Sequence, residues 1–265
     1  MKGQRLFKKN GKTGCLLIHG LTSTTQEMHD LFQFLDSKKY TVLATLLKGH
    51  NTSVEDLQKT TWRDWYRSVE KDFVFLRKHC NKICVIGLSI GAILSLHLAA
   101  NKRPGIMGLI LLAPAIFYVS PLVQLTPFLR YIKKYAIKDY SKYYPKRKEA
   151  FFDIADDRAL KGRIAYKKAP LRALASALSL IKIVKKEAKM VNVPVLIMHS
   201  LKDNTIKPKS ARFVYDQLST PVERKKLVYL KNSGHVITVD FDKGYVFKEI
   251  YNFIRRKPMI KPTLQ

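Results

Sequence analysis

The sequence predicts an α/β doubly wound fold: a mostly parallel sheet flanked by helices, with a small helical cap inserted into it. Three observations carry this reading. Short apolar runs of β character recur along the chain, and stretches with apolar residues at helical spacing separate them. Between about residues 115 and 190 no strand-like run occurs. Parallel strands need helical crossovers, so the alternation implies helices on the sheet's faces.

The elements follow in order. Asn10-Gly11 has the form of a hairpin turn leading into a first strand at 15–19. Thr24 and Glu27 are spaced as a capping box, with Met28, Leu31, Phe32 and Leu35 on one helix face behind them. Strands at 42–45 and 83–86 bracket a helix bearing Trp62, Trp65, Tyr66, Val69, Phe73 and Leu76. Residues 90–100 give a third helix and 109–113 a strand. Beyond the insertion come strands at 193–199 and 227–230, with a helix opened by Pro208 between them. Val246, Ile250, Phe253 and Ile254 stripe the last helix. Inside the insertion, helices are expected over 122–137, 151–160 and 171–188. The organisation is therefore a core of residues 1–114 and 191–265 carrying a cap of residues 115–190.

Composition narrows the function classes. The 265 residues are 46% apolar, enough for a real core, which excludes disordered, collagen-like and low-complexity chains. Three cysteines exclude a disulfide scaffold and favour a reducing compartment, so a cytoplasmic protein is expected. The basic start of the chain has no apolar stretch behind it, unlike a secretory leader. Residues 104–129 hold no charge but contain Pro114, Pro121 and Pro127, so they read as a core strand running into an apolar lid.

Charge is the unusual feature. Lys and Arg number 49 against 20 acidic residues, a net of +29. The segments 1–114, 115–192 and 193–265 carry +9, +12 and +8, so no single arm holds the excess. Zinc-ligand spacing, a basic zipper and an aromatic RNA-binding signature are all missing, which argues against a specific nucleic-acid partner or a metal. A lysine-rich solvated surface is the simplest account, and weak association with anionic membrane surfaces is the partner it allows.

Chemistry concentrates at Gly87-Leu88-Ser89-Ile90-Gly91, between a strand and a helix. Gly-x-Ser-x-Gly in that context is a nucleophile elbow, a sharp turn that projects the serine hydroxyl over the sheet. With this chain's Gly and Ser frequencies a random match is expected only about 0.03 times. A serine needs a base and an orienting acid after it. His235 follows the strand at 227–230 and is the base of choice. His199, at the end of an apolar strand, reads as structural. Asp203, in the loop after 193–199, is the acid. Asp216 and Asp240 are not expected to matter to catalysis, and Asp153 is assigned to the insertion. The backbone N–H groups of Leu21, after His19-Gly20, and of Ile90 supply an oxyanion hole.

With these residues placed, the chain resembles the α/β-hydrolase superfamily, and within it the bacterial carboxylesterases and monoacylglycerol lipases. The likeness runs through Leu17-Ile18-His19-Gly20, Lys48-Gly49-His50, Trp62-Arg63-Asp64-Trp65, the elbow, Asp203 and the run Ser233-Gly234-His235-Val236-Ile237-Thr238-Val239-Asp240. It implies a cofactor-free serine esterase acting on small-molecule esters, aliphatic ones of short to medium chain and monoacylglycerols among them. Leu21, Asn51 and Ile90 depart from residues common in relatives, and all three are expected at the acyl site or its rim. A thioesterase or acyltransferase would use the same triad. A basic lipid- or nucleic-acid-binding protein on a hydrolase scaffold would have no need of one.

Overall fold

The computed structural model describes residues 3–101, 104–147, 150–161, 163 and 166–255, which include every residue singled out above. In chain order the elements are β1 (Leu6–Lys8), β2 (Thr13–Ile18), α1 (His29–Ser37), β3 (Thr41–Thr45), α2 (Val54–Gln58), α3 (Trp62–Arg77), β4 (Lys82–Leu88), α4 (Ile90–Ala100) and β5 (Ile106–Leu112). Then come α5 (Thr126–Leu129), β6 (Tyr135–Ile137), β7 (Lys168–Pro170), α6 (Leu171–Glu187), β8 (Val195–Ser200), α7 (Lys209–Gln217), β9 (Lys225–Leu230) and α8 (Lys243–Arg255).

Seven strands form one sheet in the order β1-β3-β2-β4-β5-β8-β9. All neighbours are parallel except β1, which runs antiparallel to β3. Alternation along the strands sends side chains to two cores. Cys15, Leu17, Val42, Ala44, Ile86 and Ile110 face α1 and α8, while Leu16, Ile18, Leu43, Val85, Leu109 and Ile197 face α3, α4, α6 and α7. Both faces are covered, as a parallel sheet requires. Every residue of α4 is buried, consistent with its apolar sequence. The thiols of Cys15, Cys80 and Cys84 are free and buried, and burial pushes each one's pKa up, which leaves them unreactive.

Two N-terminal expectations are corrected. Asn10-Gly11 does not close a hairpin, because β1 pairs with β3 and not with β2. The turn is captured instead by the approach to β3: Gly11 N–H donates to Lys39 O at 3.0 Å and Asn10 N–H to Thr41 Oγ1 at 2.9 Å. Thr24 does accept from Gln26 N–H, but Glu27 does not return to Thr24; its Oε2 accepts from Gly20 N–H at 3.2 Å. The reciprocal box occurs at Thr61 and Asp64, opening α3.

The segment between β5 and β8 differs most from expectation. In place of a helix over 122–137 there is a 3-10 turn (Pro121–Leu125), the single turn α5 and the strand β6, which pairs antiparallel with β7. Pro121 and Pro127 start these turns, and a residue without an N–H cannot sit in the interior of one long helix. Residues 151–160 hold only a 3-10 turn, Asp157–Leu160, because Asp153 is drawn into polar contacts described below. The third helix forms as α6 and packs on α3 and α4, in the layer covering that face of the sheet.

Candidate active site

β4 ends at Leu88, and Ser89 turns the chain into α4 with φ 58° and ψ −117°. A non-glycine residue in this region is strained and persists only when its surroundings fix it. Ser89 N–H donates to Leu112 O at 2.8 Å, and Ser89 O accepts from Ala92 N–H at 3.1 Å. The two elbow glycines are steric necessities. A Cβ on Gly87 would lie 2.2 Å from Gly91 O, and one on Gly91 would lie 2.3 Å from Ile18 O.

Asp203 and His235 arrive from the loops after β8 and β9, both at the sheet's carboxyl edge. His235 Nδ1 lies 2.7 Å from Asp203 Oδ2. Asp203 Oδ1 accepts from the N–H groups of Thr205 at 2.9 Å and Ile206 at 2.7 Å. Burial by itself would raise the Asp203 carboxyl, but the imidazoles of His235 and His199 outweigh it and hold the group well below the usual carboxylate range. Burial would likewise lower His235, and the adjacent Asp203 carboxylate reverses this, so its pKa lies above the ordinary value. Ser89 and His235 line one cavity of about 470 Å³ together with Leu21, Thr22, Val123, Leu174 and Val236. The wall is mixed, with an aliphatic part and a polar part.

The loop after β2 is fixed by a buried imidazole. Leu47 N–H donates to His19 Nε2 at 3.2 Å, so His19 carries its proton on Nδ1 and donates it to Gly20 O at 2.8 Å. Burial lowers the His19 pKa to about 4, so the ring is neutral and structural. Leu21 lines the cavity and Ile90 is buried beside Ser89; among the described residues neither N–H has a hydrogen-bond partner within the protein. Of the three departures from the family pattern, only Leu21 lines the cavity. Ile90 lies behind the elbow and Asn51 outside the lining, in a turn at φ 60°.

Three residues that sequence reasoning set aside belong to the site. His199 Nε2 donates to Ile206 O at 3.2 Å and lies 2.9 Å from Asp203 Oδ2, so this buried ring stands directly against the carboxylate. Asp153 is buried and braces both loops: its carboxylate accepts from Asn204 N–H, Asn204 Nδ2, Thr205 Oγ1 and Tyr144 O–H, and its carbonyl accepts from His235 N–H at 2.9 Å. Asp240, expected to play no part in catalysis, has a structural role that the sequence did not suggest. Its buried carboxylate accepts from the N–H groups of Gly234, Ala155, Asp156 and Phe241, tying the histidine loop to the inserted segment. The run Asp240 closes was legible as a family motif, but nothing in the sequence signals the partners of Asp153. Among the described residues no group of three or more His, Cys, Asp or Glu side chains is arranged to hold a metal ion.

This geometry can be set beside known proteins. The family model described as serine aminopeptidase, S33, matches residues 9–242. The chain belongs to this family of α/β hydrolases. It is 30% identical to the thermostable monoacylglycerol lipase of Bacillus sp. (strain H-257), over 94% of this chain and 93% of that one. With the carboxylesterase of Bacillus subtilis (strain 168) the identity is 26%, over 94% of each chain. A solved structure from work on the metagenome-derived lipolytic enzymes LipS and LipT superposes with a TM-score of 0.85 at 24% identity, covering 97% of this chain and 98% of that one. The hydrolase is therefore of the esterase and lipase type within S33, on the α/β-hydrolase fold its sequence resembles.

Proposed function

We propose that this S33 hydrolase cleaves carboxylic esters through a Ser89–His235–Asp203 triad. The observation that carries the reading is the 2.7 Å Asp203–His235 contact at a cavity that Ser89 and His235 share. Ser89 Oγ attacks the ester carbonyl while His235 Nε2 takes its proton. The tetrahedral oxyanion is held by the N–H groups of Leu21 and Ile90, each worth about 3 to 4 kcal/mol by mutational precedent. Collapse releases the alcohol with the proton from His235. Water, deprotonated by His235, then frees the acyl group, and Asp203 keeps the imidazole in the tautomer both steps require. No cofactor takes part.

The aliphatic wall formed by Leu21, Val123, Ala136, Leu174 and Val236 fits short- to medium-chain acyl groups, monoacylglycerols included. Residues 115–190 act as the cap over this wall, and the core is 1–114 with 191–265. The enzyme works in the reducing cytoplasm. At the cap, Leu122, Leu125, Phe128, Tyr131 and Ile132 are exposed, Phe128 by 74% and Ile132 by 87%, beside exposed Lys133 and Lys134 and half-buried Arg130. An apolar ridge among cations suits weak docking on an anionic membrane surface, at about 1 kcal/mol per well-placed cation. No described helix is long and apolar enough to cross a membrane.

Labelling by a fluorophosphonate probe, with the modified peptide mapped to Ser89, tests the nucleophile, and a panel of p-nitrophenyl esters of rising chain length tests the acyl preference. An unlabelled wild type that cleaves no ester overturns the reading. Co-sedimentation with neutral and anionic vesicles at low and high salt tests the membrane arm; salt-sensitive binding to anionic vesicles alone is expected, and equal binding to both, or to neither, removes it.

A further inference from the structure

The polar part of the cavity wall has an imbalance that ester hydrolysis does not explain. Three carboxylates line it, and each already accepts hydrogen bonds from the protein. Glu27 accepts from Gly20 N–H, Asp139 from Ser141 N–H at 2.8 Å, and Asp153 from four donors. Two ammonium groups, Lys138 and Lys142, line it as well. Among the described residues no carboxylate lies within 4.0 Å of either. Lys138 Nζ makes one hydrogen bond, 3.3 Å to Thr22 Oγ1, and Thr22 itself stands in the loop after His19-Gly20 at φ 61°. Lys138 and Lys142 thus keep ammonium donors that no described carboxylate takes up by direct contact. They sit in a chain of net charge +29, which draws anions toward every face.

We infer that Lys138, with Thr22 and the more exposed Lys142, forms a subsite for an anionic group on the leaving alcohol, so that the enzyme cleaves acyl esters of phosphate-bearing alcohols. This rests on the ester-hydrolase reading above and specifies its substrate. The aliphatic wall takes the acyl chain, which leaves the ammonium groups for the alcohol side. Phosphate offers three acceptor oxygens, and charge-assisted hydrogen bonds to them are about twice as strong as neutral ones. The products are a fatty acid and the phosphorylated alcohol, with the water supplying the acid's oxygen and the alcohol's proton.

The ionisation of Lys138 adds a second readout. Burial lowers its pKa to about 8, opposed by Glu27 and Asp153. Tyr118, Asp139, Tyr140, Lys142, Tyr143 and His235 are the other titratable groups lining the same cavity. The ammonium is therefore charged at neutral pH and is lost in the free enzyme as pH rises through about 8.

The test compares 1-octanoylglycerol with 1-octanoylglycerol 3-phosphate, both below the concentration at which they aggregate, so that no lipid surface contributes. At neutral pH the phosphate ester should have a kcat/KM about tenfold higher, and the ratio should fall toward unity in alkali. Lys138→Met should cut the ratio about tenfold, Lys138→Arg should restore most of it, and exposed Lys189→Met, with the same change in net charge, should leave it unaltered. The ratio is taken within one preparation, normalised to fluorophosphonate-labelled protein, so partial misfolding does not move it. A wild type that cleaves both esters equally, or prefers the neutral one, overturns the inference. So does a ratio that Lys138→Met and Lys189→Met alter alike, since that is bulk charge and not a subsite. If neither ester is cleaved and the probe does not label Ser89, it is the ester-hydrolase reading that has failed.

Discussion

The loops at the carboxyl edge of the sheet and the segment between β5 and β8 meet at one cavity but are held by different physics. The elbow, the Asp203 loop and the His235 loop each follow a strand of the central sheet, so register and packing fix where they emerge. Among its described residues, the inserted segment from 115 to 170 has little regular structure and few buried apolar side chains, Ile154 and Ala169 among them. Its position depends on polar contacts to Asp153 and Asp240. The comparison teaches that the aliphatic core places Ser89, Asp203 and His235, whereas buried carboxylates tie down the cavity wall beside them.

Removing the proposed nucleophile should have the largest effect. Ser89→Ala should lower kcat on p-nitrophenyl esters by about 10⁴- to 10⁶-fold with an unchanged thermal midpoint. Activity above that level would detach the edge loops from catalysis. Asp203→Asn should cost about 10⁴-fold in kcat, because the amide can favour the wrong imidazole tautomer. Asp216→Asn, at an exposed helix position, should be silent in the same assay.

Asp153→Asn sharpens the comparison, since it alters the inserted segment and not the sheet's edge. An amide NH2 would face the N–H of Asn204 or the hydroxyl of Thr205, leaving a buried donor unpaired at a cost of about 1 to 3 kcal/mol. Loosening both loops should lower kcat/KM by about 10²-fold. Urea unfolding and steady-state kinetics read the two effects, and a variant normal in both would show that the carboxylate braces nothing.

The last effect is expected from acid, on stability and with no change to the catalytic groups. Burial holds His19 neutral down to about 4, below its ordinary 6.5. The unfolded chain takes up a proton that the folded chain refuses, so this contribution is complete above about 6.5 and is lost progressively as pH falls toward 4. The loss is about 3 kcal/mol for the full shift. Urea midpoints measured across that range in wild type and His19→Gln should converge at the acid end; parallel curves would place the acid sensitivity elsewhere.

Much of this protein is legible in its amino-acid sequence. The strands from 15 to 230, the flanking helices and the elbow follow from apolar period and from glycines whose spacing serves one turn. Ser89, Asp203 and His235 can be chosen by chain order and by the strands they follow. The sequence does not show that β1 pairs with β3, that Glu27 turns to Gly20, or that residues 122–137 break into turns and a strand. Nor does it reveal that His199, Asp153 and Asp240 gather around the acid and base loops. Apolar periodicity is a local signal, written within a few residues of where it acts. The partners of a buried carboxylate lie tens of residues away, as Asp240 does from Ala155 and Asp153 from Asn204, and only the packed chain brings them within hydrogen-bonding distance.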